Sequence, residues 1–114
     1  DAYNANPSSM EEAIKSFSKF KGEKAIILGD MYELGKESST EHKNIIKLCE
    51  EIPDSKCIFI GEHFYIFSNT KKGSRFFKNK TDFYNSDLKI DQNNILIKGS
   101  RGMKMEEILK YIKQ

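Results

Sequence analysis

Apolar positions along the chain follow two rhythms. Met10, Ala13, Ile14, Phe17 and Phe20 recur at three- and four-residue spacing, which predicts a helix with one buried face. Ser8 or Ser9 is expected to cap it, with Ser9 and Glu12 spaced as a capping box, and Gly22 to end it. Residues 24–28 form a continuous apolar run instead, the pattern of a strand covered on both faces. His42, Ile45, Ile46, Cys49 and Ile52 mark a second helix face, opened by a capping box at Ser38 and Glu41 and stopped by Pro53. A second strand follows at 56–60, then a short helix at 62–68 and a polar turn at 69–73. Residues 74–77 read as a short, weak strand. Thr81 or Asp82 should cap a helix through Phe83, Tyr84 and Leu88. Residues 95–97 are the last strand, and a final helix is expected over 103–112, with Met105, Ile108, Leu109 and Ile112 inside.

Strands alternating with helices predict an α/β, Rossmann-like three-layer domain, with a mostly parallel sheet flanked by helices. Three strands close on glycine, at Gly29, Gly61 and Gly99. Their carboxyl ends should share one sheet edge, where open α/β sheets bind ligands.

With 114 residues, the chain suits one domain, read as residues 1–114. Asp1 is no natural start, so the chain is expected to be a fragment of a larger protein. At 38% hydrophobic and 32% charged residues, a folded domain with a solvated surface is expected rather than disorder. Formal net charge is only +2, from 19 basic and 17 acidic residues, which argues for neither nucleic acid nor membrane as partner. No apolar run approaches the roughly 20 residues of a membrane span. Cys49 and Cys57 are read as reduced core residues of a cytoplasmic protein.

Candidate chemistry gathers at the strand ends. Gly29-Asp30-Met31-Tyr32-Glu33-Leu34-Gly35-Lys36 superficially looks like a phosphate-binding loop. It has five residues between its glycines rather than four, Glu37 follows the lysine, and two carboxylates sit inside. Asp30 and Glu33 fit a turn cap and a solvated acid, or a site for an ammonium group, a ribose hydroxyl or a metal-bound water. Lys98-Gly99-Ser100-Arg101-Gly102 offers close backbone approach, three side-chain donors and a following helix start. Arg101 could grip a carboxylate in a bidentate way. In Asp1-Ala2-Tyr3-Asn4-Ala5-Asn6-Pro7, the polar side chains could serve as linker or could bond and stack on a base and ribose. His42 and His63 lack metal-ligand spacing; His42 is expected to be a hydrogen-bonded residue at the core boundary, with partnership to the acidic loop as the alternative.

Three stretches together resemble the C-terminal domain of the Mur ligases, in the branch that adds D-alanyl-D-alanine to UDP-N-acetylmuramoyl tripeptide. They are Asp1-Ala2-Tyr3-Asn4-Ala5-Asn6-Pro7-x-Ser9-Met10, Gly29-Asp30-Met31-x-Glu33-Leu34-Gly35, and Lys98-Gly99-Ser100-Arg101-x-Met103-x-Met105-Glu106. Order and spacing both match, and His42 falls where that family tends to carry a histidine. The resemblance spans essentially the whole chain; residues 64–93 carry no motif.

The resemblance implies the third domain of an ATP-dependent amide ligase in peptidoglycan precursor synthesis, in the bacterial cytoplasm. ATP would phosphorylate the peptide carboxylate, and the dipeptide amine would attack the acyl phosphate. Mg2+, the phosphate loop and a carbamylated lysine would come from a central domain in cis, so no catalytic or metal-ligating residue is expected here. Asp1, Tyr3, Asn4 and Asn6 would touch the adenosine part of ATP. Lys98, Ser100 and Arg101 would hold the D-alanyl-D-alanine carboxylate. Asp30 and Glu33 would face its ammonium group or position the loop. The isolated domain would be inactive. The alternative, of a different class, is a stand-alone α/β small-ligand or regulatory domain, receiver-like in placing Asp30 and Lys98 at strand ends.

Overall fold

The first helix, α1, spans Pro7–Ser18 and packs Met10, Ile14 and Phe17 inward. Its cap is Asn6 rather than Ser8 or Ser9. Asn6 is extended and its side-chain oxygen accepts from the Ser9 N–H at 2.9 Å, while the Asn6 N–H donates to Ser9 Oγ at 3.0 Å. Pro7 explains the shift. It has no N–H to lose at the first helical position, so the reciprocal box closes one turn earlier. The computed structural model describes residues 5–69 and 73–112. The expectations for Asp1, Tyr3 and Asn4, and for part of the turn at 69–73, lie outside the described residues.

Strands β1 (Lys24–Gly29), β2 (Ser55–Ile60), β3 (Arg75–Phe77) and β4 (Asn94–Lys98) form one all-parallel sheet in the order β3-β2-β1-β4. β1 is central and buried along its whole length: its apolar run at 25–28 is covered on both faces, and the buried Lys24 at its start donates to the Gly22 carbonyl at 3.0 Å. Alternate residues face opposite layers. Ile26 and Leu28 join α1, α2 (Ser38–Glu50) and Phe64, whereas Ile27 faces Phe83, Met105 and Ile108. The second layer is closed by α4 (Lys80–Asn85) and α5 (Glu106–Ile112). Cys49 and Cys57 are buried free thiols, and Cys57 Sγ donates to the Cys49 carbonyl at 3.5 Å.

Three further local expectations are corrected. The box at Ser38 and Glu41 does not form: α2 is capped by Glu37 without a side-chain bond, because the Ser38 hydroxyl turns to two histidines. Asn79, not Thr81 or Asp82, caps α4 by accepting from the Asp82 N–H at 2.8 Å. The final helix does not start at Met103. Arg101–Met103 is a 3-10 turn, Lys104 is left-handed at φ 52°, and only then does α5 begin. The helix expected behind Gly102 therefore begins at Glu106, beyond a 3-10 turn.

The chain passes from β1 to β2 on one side, while β4 lies on the other. The loops after β1 and β4 thus flank the point where strand order reverses, the ligand-binding position of open parallel sheets.

Candidate functional site

At the carboxyl edge of the sheet, the loop after β1 is held from three sides. Below it, Asp30 is 3% exposed, and its two oxygens accept from the backbone N–H groups of His63 (3.0 Å) and Phe64 (3.1 Å). These amides open the short helix α3 (Glu62–Tyr65), whose first N–H groups lack helical partners. A buried carboxylate is tolerated because it is spent on them.

Beside it, the fully buried His42 binds the same loop. The Met31 N–H donates to His42 Nε2 at 3.0 Å, and His42 Nδ1 lies 2.7 Å from the Ser38 carbonyl. A carbonyl can only accept, so Nδ1 carries the proton and Nε2 is the acceptor: the ring is neutral. Burial pulls the His42 pKa below the usual histidine value, against the Ser38 carbonyl and Asp30, which raise it. His42 is thus a core histidine and a partner of the acidic loop at once.

From the third side, Ser100 ties the loop to β4. The Ser100 N–H donates to the Asp30 carbonyl at 3.0 Å, and the Tyr32 N–H donates to Ser100 Oγ at 2.7 Å. The same hydroxyl donates to the Ala5 carbonyl at 3.5 Å. One buried serine therefore joins the segment ahead of α1, the loop after β1 and the loop after β4.

Close packing makes the glycines necessary. A Cβ at Gly99 would lie 2.7 Å from Met105 Cγ and 3.0 Å from Gly29 Cα. At Gly61, with φ at 129°, it would lie 2.2 Å from Asp30 Cγ.

These elements border an open cleft of about 390 Å³, lined by Asp30, Tyr32, Glu62, His63, Lys78 and Lys80 among others. Acids and lysines both contribute to its lining, with Lys80 paired to Glu107 and Lys78 lying over the Tyr65 ring. Burial raises the Tyr32 phenol above its ordinary pKa, and the Asp30 and Glu62 charges add to the rise.

The structure sorts the sequence candidates. Asp30 lines the cleft wall, but with both carboxylate oxygens engaged by backbone. Glu33 is exposed in a left-handed conformation at φ 65°. Ser100 and Lys98 are buried, and desolvation lowers the Lys98 pKa. Arg101 is exposed at the start of its turn. Asn6 is exposed, with its side-chain oxygen committed to capping α1. Among the described residues, no group of three or more histidine, cysteine or acidic side chains could hold a metal ion. Lys78, Lys80 and His63 were missed as cleft residues. The usable signal was position: Lys78-Asn79-Lys80 follows Phe76-Phe77 at a strand end, and His63 follows Gly61.

A Rossmann-like parallel sheet whose motif-bearing loops meet at its carboxyl edge defines the class. The chain belongs to the Mur ligase family: residues 1–101 match the family described as Mur ligase, glutamate ligase domain. It forms the C-terminal domain of that family. Within it, the similarity is to UDP-N-acetylmuramoyl-tripeptide–D-alanyl-D-alanine ligases. That of Buchnera aphidicola subsp. Acyrthosiphon pisum is 34% identical over 96% of this chain and 25% of its own length. That of Bacillus subtilis is 34% identical over 96% of this chain and 26% of its own length. The Escherichia coli enzyme is 29% identical over 100% of this chain and 26% of its own length. Among solved structures, MurF from Acinetobacter baumannii superposes with a TM-score of 0.80 at 26% identity, covering 98% of this chain and 26% of that one. MurF from Thermotoga maritima, solved in complex with ADP, shares the fold with a TM-score of 0.72 at 18% identity, covering 99% of this chain and 27% of that one. The chain spans about a quarter of the length of these relatives. No helix among the described residues is long and apolar enough to cross a membrane.

Proposed function

We propose that residues 1–114 act as the C-terminal domain of a three-domain ATP-dependent amide ligase. The enzyme adds D-alanyl-D-alanine to UDP-N-acetylmuramoyl tripeptide in the bacterial cytoplasm. The observation that carries this reading is the Ser100 junction. The three stretches that resemble the D-alanyl-D-alanine-adding ligases lie far apart in sequence, yet one hydroxyl joins Ala5, Tyr32 and its own loop. Family membership favours this reading over the receiver-like alternative.

The domain would present the dipeptide amine to an acyl phosphate formed on the central domain, which would also hold Mg2+ and most of ATP. Asp1, Tyr3, Asn4 and Asn6 are assigned to the adenosine side. Lys98 and Arg101 are assigned to the dipeptide carboxylate, with Ser100 organising the loops between them. Asp30 positions the loop after β1; Glu33, exposed beside it, is the acid left to meet the ammonium group. Chemically, this domain's work is orientation, which can supply several kcal/mol of a reaction barrier. The test uses the full-length protein containing this chain, supplied with ATP, Mg2+, the tripeptide precursor and D-alanyl-D-alanine. Phosphate release that requires both the tripeptide and the dipeptide supports the reading; absence of dipeptide-dependent release overturns it.

A further inference from the structure

A line of polarised hydrogen bonds runs from the core to the cleft and ends on His63. Its inner end is fixed by the donor and acceptor inventory. Met31 donates to His42 Nε2, so His42 carries its proton on Nδ1 and directs it at Ser38. The Ser38 hydroxyl lies 3.2 Å from His42 Nδ1 and 3.1 Å from His63 Nδ1. Since His42 Nδ1 is already a donor, the Ser38 hydroxyl hydrogen is free to point outward, to His63 Nδ1, and it is assigned that direction. A neutral imidazole that accepts on Nδ1 carries its proton on Nε2, on the opposite side of the ring. The ring is clamped in that pose by stacking on His42, with centroids 5.3 Å apart and planes 19° apart. Its backbone N–H is clamped by Asp30. His63 is itself exposed and lines the cleft together with Lys78 and with Lys80 at the start of α4.

We propose that His63 is a substrate-contacting residue of this cleft, presenting an oriented Nε2–H donor to an oxyanion. This rests on the ligase reading above. The oxyanion is either the dipeptide carboxylate or a phosphoryl oxygen. The Asp30 charge is met by the His63 and Phe64 amides, Lys80 is paired with Glu107 at 2.5 Å, and Lys78 adds a positive charge to the lining beside Glu62, so an anion is admissible there. Fixing the donor in advance saves ordering cost on binding, and a hydrogen bond to a charged group is the strong kind.

The test compares His63→Phe and His63→Gln in the full-length protein. Phenylalanine keeps the stack and removes both nitrogens; glutamine restores a donor near the Nε2 position. Loss of the bond should raise one Michaelis constant about tenfold in His63→Phe, with most of that recovered in His63→Gln. A rise confined to D-alanyl-D-alanine identifies the carboxylate, and a rise confined to ATP identifies the phosphoryl oxygen; both support the proposal. Constants unchanged within about twofold, or a glutamine variant no better than phenylalanine, overturn it. If the wild-type protein lacks ligase activity, the ligase reading has failed and a second measurement decides this one. The protein, labelled with 15N-histidine, is titrated with D-alanyl-D-alanine and separately with inorganic phosphate. A shift of the His63 Nε2 resonance with either probe supports the contact, and no shift with both overturns it.

Discussion

The carboxylate of Asp30 occupies the space that a side chain at Gly61 would need. A Cβ at position 61 would sit 2.2 to 2.4 Å from all three carboxyl atoms, and the backbone there has φ 129°. Two distant sequence features, an acid ending the first strand and a glycine ending the second, are thus one structural unit. The glycine lets the carboxylate reach the two amides of α3.

Gly61→Ala should therefore cost at least about 3 kcal/mol, from a backbone region nearly reserved for glycine plus displacement of Asp30. Chemical denaturation checks it, read as a midpoint shift at constant slope. A loss below 1 kcal/mol would show that the loop after β1 can move aside.

Asp30→Ala leaves two buried N–H groups without their charged acceptor, which should destabilise the protein by about 2–3 kcal/mol. Asp30→Asn keeps one acceptor oxygen and should lose less. In full-length protein, both variants should lose turnover in proportion to the disturbed loop. If Asp30→Ala instead matches wild type in stability and only dipeptide affinity drops, the carboxylate meets substrate directly.

Ser100→Ala should cost about 1–2 kcal/mol, because the Tyr32 N–H loses its acceptor and the Ala5 carbonyl a donor. Amide hydrogen exchange at Tyr32 localises the effect, since the protection of that N–H depends on the Ser100 hydroxyl. Unchanged protection at Tyr32 would refute the junction.

Layer order and strand direction were legible because β1 is apolar without a break from Ala25 to Leu28 and the long helices each show one apolar face. Caps were less so. Asn6 and Asn79 outcompeted nearby serine, threonine and aspartate through backbone conformation, which residue type does not reveal. The site residues were legible as strand-end motifs, but their roles were not. Asp30 and Ser100 have side chains short enough to be absorbed by local backbone, and only the fold shows which amides lie within reach. His63 and Lys78 belong to no recognisable motif; β2 and β3 bring them to the cleft from 15 residues apart in sequence, a proximity set by sheet register rather than local spacing.

The isolated 114 residues should neither hydrolyse ATP nor form an amide bond. On the ligase reading this domain contributes orientation only, and the phosphate-loop pattern at 29–36 fails on spacing and charge. Incubating the purified chain with ATP, Mg2+, tripeptide precursor and dipeptide should release phosphate no faster than buffer. Adding back the remainder of the protein in trans should be required for turnover. Dipeptide-dependent turnover by the chain alone would move the catalytic centre into this domain.

Stability should fall with acidity below about pH 6.5 through His42. In the folded protein its pKa lies below the ordinary value of 6.5, chiefly because burial disfavours the charged ring. The unfolded chain therefore binds a proton at a pH where the folded chain does not, and unfolding becomes easier as pH falls. Above the unfolded value both states are neutral and the contribution is constant. Between the two values stability drops progressively, and below the folded value it levels off. The structural cause is specific: a proton on Nε2 would face the Met31 N–H at 3.0 Å, with Asp30 Oδ1 3.9 Å away as partial compensation. Denaturation midpoints from pH 7.5 to 5.5 should slope downward in the wild-type chain. In His42→Gln the slope over that window should flatten, even if the variant is less stable at every pH. Parallel slopes for the two proteins would assign the acid sensitivity to other groups and leave His42 free to charge in place.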